Sequence, residues 1–161
     1  MRPSAAIPWG APPPYRAPAP EVLSALDQLY AQVDAALPEA VSTCRACGEC
    51  CRFKEGGIVL FASALELACL VSSRDRVGRP EPSRQSSPSA SWRCPYQEGN
   101  RCTARRMRPL GCRTYFCDPA ARVEGERLYA KTLAEMRQIA EGQGPWWYGP
   151  AGAYLSAVES G

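Results

Sequence analysis

The chain has 161 residues with 16 Pro, 13 Gly and nine Cys, the size of one domain with irregular stretches rather than of two. It contains no His, which excludes Ser-His-Asp and Cys-His catalysis, His-dependent zinc hydrolases, Cys2His2 fingers, Rieske centres and His-ligated haem. Nineteen basic against 16 acidic residues give a formal net charge of +3, too balanced for wholesale nucleic-acid binding, and any metal must be held mainly by thiolates.

Residues 1–19 read as a disordered Pro-rich leader carrying Trp9 and Tyr15. Pro8, Gly10 and Pro12 to Pro14 interrupt any apolar run of signal-peptide length. From Glu21 to Leu37 the residues Val22, Leu23, Leu26, Leu29, Tyr30, Val33 and Leu37 recur three and four apart, the period of a one-faced helix. Pro20 suits its first turn and Pro38 ends it. Residues 39–57 form a cysteine-bearing loop in which Gly48 lets the backbone curl, and Ile58 to Phe61 is a short β-prone run.

Ser63 and Glu66 have the spacing of a capping box. The helix they open carries Leu65, Ala68, Cys69 and Leu70 to about Ser72, so Cys69 reads as a core residue. Residues 73–92, rich in Ser, Pro and Arg, are expected to be a mobile loop. Cys94 to Cys117 shows little periodicity, so its order should depend on what its cysteines bind. Asp118-Pro119 then opens a helix to about Glu141, with Val123, Leu128, Tyr129, Thr132, Leu133, Met136 and Ile139 on its face and Gly142 and Gly144 beyond it. Residues 143–161 are an aromatic tail whose Trp146, Trp147, Tyr148 and Tyr154 should pack back over the core, or alternatively anchor a protein partner. The fold class expected is a small, mainly α, metal-stabilised domain over residues 20–142. It has about three helices around two irregular cysteine-rich segments and at most short β strands.

The first cysteine group is Cys44-x2-Cys47-x2-Cys50-Cys51 and the second is Cys94-Pro95, Cys102 and Cys112-x4-Cys117. Two-residue spacers let consecutive thiolates meet one centre, as in zinc sites and iron-sulfur loops. Three such cysteines completed by a distant Cys-Pro follow the ligand logic of a [4Fe-4S] ferredoxin. One partition gives Cys44, Cys47, Cys50 and Cys94 to one set and Cys51, Cys102, Cys112 and Cys117 to the other. Eight thiolates around two Zn2+ would carry the formal charge from +3 to about −1. No apolar run approaches the ~20 residues that span a bilayer. A cytoplasmic setting is therefore expected, where clustered cysteines favour metal over disulfide, and nine is an odd number for a closed disulfide set.

The run Cys44-x2-Cys47-Gly48-x-Cys50-Cys51-Arg52, then Cys94-Pro95-Tyr96, Cys102 and Arg108-Pro109-x2-Cys112-Arg113-x-Tyr115-x-Cys117, resembles the bacterial YkgJ-like cysteine-cluster family, described as a zinc- or iron-chelating domain. The resemblance spans about residues 41–118 and departs from the usual aliphatic-Tyr pair at Ala104-Arg105. It implies a metal centre, iron-sulfur or zinc, held by the eight cysteines named, in a family with no single agreed reaction.

Thiolate-only sites suit both metals. Arg52, Arg108, Arg113 and Tyr115 are expected to surround the sulfur centre with charge compensation and hydrogen bonds. No catalytic residue is assigned. One alternative is a redox or electron-transfer iron-sulfur protein or enzyme, with a cleft near Glu49 or Glu66. Another is a structural zinc module that binds protein or nucleic acid, the latter disfavoured because no repeated basic and aromatic pattern runs along the chain.

Overall fold

The computed structural model describes residues 9–37, 48, 51, 59–76 and 94–160, and within them it is a small, mainly helical domain. Helix α1 runs Pro20–Ala36. Pro20 sits in the first turn, where a missing N–H is harmless, and the spacing of Val22, Leu26, Leu29, Tyr30 and Val33 buries one face. Strand β1, Phe61–Ser63, leads straight into α2, Ala64–Arg76. The β-prone stretch thus forms its strand slightly later than the sequence suggests, and α2 continues four residues past Ser72. Residues 73–76, expected to begin the mobile loop, are helical, and 77–93 lie outside the described residues.

The second cysteine segment is more ordered than its lack of periodicity implies. Strands β2, Gln97–Glu98, and β3, Arg101–Cys102, pair antiparallel through a Gly99-Asn100 turn in which Gly99 takes φ +56°, a conformation glycine adopts without penalty. Helix α3, Leu110–Thr114, follows. Asp118 then caps α4, Pro119–Ala140, accepting a 3.0 Å hydrogen bond from the Ala120 amide. Gly142 and Gly144, both at positive φ, follow the helix end.

Residues 143–161 are more than a tail. Strand β4, Tyr148–Pro150, pairs antiparallel with β1 so that Ala62 faces Gly149, and α5, Ala151–Ser160, follows at once. The expected three helices are α1, α2 and α4; α3 and α5 are additional. The leader differs in the same direction. Residues 9–19 have no regular secondary structure, yet Trp9 meets Phe61 edge-on at 5.6 Å, Trp147 Nε1 donates to the Gly10 carbonyl at 3.4 Å, and Tyr15 packs partly buried against the core.

Helix α2 is the centre of the core. Leu65, Leu67, Ala68, Cys69, Leu70 and Val71 are all buried, so apart from Glu66 the first two turns of this helix are apolar nearly all round, the pattern of an interior helix, before it turns polar from Ser72 to Arg76. It packs on α5 and β1, while α1 packs on α4 and α3. The expected face of α4 holds for Thr132 and Met136, but Val123 is 72% exposed. Val123 lies nine residues before Thr132, about two and a half turns, and therefore on the opposite side. Gly125 takes the buried place instead, because a Cβ there would fall on the Thr114 carbonyl oxygen.

Candidate metal centre

The two cysteine segments, far apart in sequence, meet in space. Gly48, at φ +76°, presents its carbonyl to the Cys51 amide at 3.1 Å and to Gln97 Nε2 at 3.0 Å. The Cys94 amide reaches the Cys51 carbonyl at 3.4 Å. A side chain at position 48 would need its Cβ within 2.6 Å of Gln97 Nε2 and 3.0 Å of Asn100 Cα, so glycine is required here for close approach as well as for its φ.

Cys51, Cys94, Cys102 and Cys112 line one cavity of about 420 Å³. Each comes from a different local structure: the turn closed by the Cys51 amide on the Gly48 carbonyl, the entry to β2, the end of β3 and the middle of α3. All four are partly buried, whereas Cys117, between α3 and α4, is exposed and does not line this cavity. Cys94 therefore shares its surroundings with Cys51, Cys102 and Cys112 rather than standing apart from them. Cys44, Cys47, Cys50, Glu49 and Arg52 lie outside the described residues. Among the described residues no three Cys, Asp or Glu converge as a metal-holding group.

Cys69 is fully buried in α2 and does not line the cavity. Burial pushes its thiol up to about 12, so it remains a neutral core side chain.

The arginines divide by role. Arg113 is buried with its guanidinium 4.0 Å over the Tyr30 ring. It pairs with Asp34 of α1 at 2.5 Å and donates to the Arg106 and Arg108 carbonyls, so its nitrogens tie α3 to α1. Arg106 makes a two-pronged contact with Asp27 at 3.0 and 2.7 Å. Arg108 lines the cavity, and among the described residues its buried Nε has no hydrogen-bond partner. Tyr115 also lines the cavity; it is 40% exposed, with Arg122 over its ring at 5.8 Å.

Glu66 is the polar hub of the core. The expected capping box forms in both directions: the Glu66 amide donates to Ser63 Oγ at 3.2 Å, and the Ser63 amide donates back to Glu66 Oε2 at 2.7 Å. The carboxyl then receives three more donors, Ser63 Oγ at 2.9 Å, the Leu110 amide at 2.7 Å and the Tyr30 hydroxyl at 3.1 Å. Burial pushes its pKa above the usual 4.5, and these donors oppose the rise. Glu66 thereby ties β1 and α2 to α1 and α3. It does not itself line the cavity, although its neighbour Leu67 does.

The aromatics of 146–154 follow the packing expectation. Trp147 and Tyr154 are buried with ring centroids 6.1 Å apart, and Tyr148 stacks on Phe61 at 5.9 Å. Partly exposed aromatic surface remains at Tyr115 and at Trp146, where Arg137 lies 5.6 Å over the ring.

The cavity wall was not foreseen from the sequence. Leu60, just before β1, and Leu67, Leu155, Tyr129 and Tyr148, from α2, α5, α4 and β4, reach it. Their local signals are those of ordinary core residues. No helix among the described residues is long and apolar enough to cross a membrane. No family model, curated protein or solved structure matches the chain.

Proposed function

We propose that this is a metal-chelating cysteine-cluster protein that holds an iron-sulfur cluster or zinc through thiolates in a cytoplasmic setting. The observation that carries the reading is the lining of one cavity by Cys51, Cys94, Cys102 and Cys112, with Gly48 and Cys51 hydrogen-bonded to the Cys94–Gln97 segment. A chain without His that gathers thiols from four structural contexts fits the donor chemistry of zinc and iron-sulfur sites. The YkgJ-like resemblance supports the same reading and adds Cys44, Cys47, Cys50 and Cys117 as further donors. When bound, the metal would supply cross-linking of the two segments and, if it is an iron-sulfur cluster, electron transfer.

The protein's own residues prepare the place. Gly48 allows the first loop to approach the β2–β3 hairpin, and Arg108 brings a positive charge to the cavity wall that favours anionic sulfur.

Substitution of the thiols tests this. Cys47→Ser and Cys112→Ser are expected to lose most bound metal, whereas Cys69→Ser retains it. Unchanged metal content in both Cys47→Ser and Cys112→Ser would overturn the assignment.

A further inference from the structure

We infer that the cavity is also a binding chamber for a small anionic amphiphile, a monocarboxylate with an aliphatic body. The inference goes beyond the metal reading, because it stands on Arg108 and the apolar wall rather than on the thiols.

The volume is the first argument. About 420 Å³ lies within the roughly 300–1,000 Å³ range of small-molecule pockets, many times the ~30 Å³ that one water occupies in the liquid. The wall is the second. Leu60, Phe61, Leu67, Leu70 and Leu155 line the cavity, a surface whose match is an aliphatic chain.

Charge selects the head group. Apart from the four thiols, the charged side chains that can face a head group are Arg105 and Arg108, and neither Asp nor Glu stands among the described lining residues. Among the described residues no ion pair joins Arg108 to a carboxylate, and a guanidinium fork on the wall matches a carboxylate in two parallel hydrogen bonds. Tyr129 and Tyr148, also in the lining, bond to each other through their hydroxyls. They therefore close the wall without demanding a polar group from the ligand.

The test is calorimetric titration of decanoate into the full chain, with decanol as the uncharged control and the metal content measured on the same sample. Saturable one-to-one binding of decanoate is expected, with decanol weaker by about tenfold or more and Arg108→Gln weakening decanoate by a similar factor. Leu60→Trp, which fills the chamber at a partly buried position, is expected to block binding. It serves as the second variant should Arg108→Gln not fold by circular dichroism.

Absence of saturable binding to folded protein, equal affinity for decanoate and decanol, or full binding by folded Arg108→Gln would each overturn the inference. Should Arg108→Gln not fold, full binding by Leu60→Trp would do the same. Decanoate binding to a chain that carries no metal would leave this inference standing while removing the metal reading. Stoichiometric metal without decanoate binding would do the reverse.

Discussion

The Glu66 carboxyl is fully buried and reached by donors from Ser63, Leu110 and Tyr30. Glu66→Ala strips two buried backbone amides of their acceptor and is expected to cost about 3 kcal/mol, read from denaturant midpoints; a loss below about 1 kcal/mol would contradict the hub. Its pH signature has a defined sign. Burial raises its folded-state pKa above the ordinary 4.5, so the folded state holds the proton more tightly than the unfolded chain. Its contribution is fully present below about pH 4.5 and is lost as pH rises through the raised value. The stability difference between the native protein and Glu66→Gln should therefore change across that interval, measured by urea unfolding at a series of pH values. A pH-independent difference would contradict the shift. Cys69 gives a second check at this scale. With its thiol at about 12, only about 10⁻⁴ of it is thiolate at pH 8, and iodoacetamide should leave it unlabelled in the folded protein. Rapid labelling without unfolding would place Cys69 outside the core.

At the level of elements, those that declare themselves locally were legible in the sequence. Pro20 and the three-and-four spacing mark α1, Asp118-Pro119 marks α4, and Ser63 with Glu66 marks α2, each by a signal within a few residues. What escaped depends on distant partners. Strand β4 has three residues and exists because it pairs with Phe61–Ser63, so no local pattern announces it, and α5 follows from that placement. Val123 looked like a face residue by hydrophobicity alone, whereas the packing of α4 on α3 brings Gly125 to the contact. Two predictions belong here. Asp118→Ala removes the cap of α4 and should cost about 1 kcal/mol. Gly125→Ala drives a methyl into backbone and should cost about 2 kcal/mol or more, where Val123→Ala changes little. Thermal unfolding of the three variants checks the order, and a Gly125→Ala protein as stable as the native one would contradict the close α3–α4 approach.

Across the described residues, one core built around α2 holds the second cysteine-bearing segment in place. Arg113 on Asp34 and over Tyr30, and the Leu110 amide on Glu66, anchor α3 and hence Cys112. Spacing marks the cysteines as candidates. The cavity that Cys51, Cys94, Cys102 and Cys112 share was not legible, because its described lining residues run from Gly48 to Leu155 and no local period connects them. The central claim, that these thiols hold metal, is most directly tested by iron and zinc content per chain. The protein should be expressed with adequate iron, purified without oxygen or an affinity tag, and measured by elemental mass spectrometry. The account predicts a stoichiometric centre, about four irons with little zinc for a [4Fe-4S] cluster or about two zincs with negligible iron for paired tetrahedral sites. A folded chain that carries essentially neither metal would contradict it.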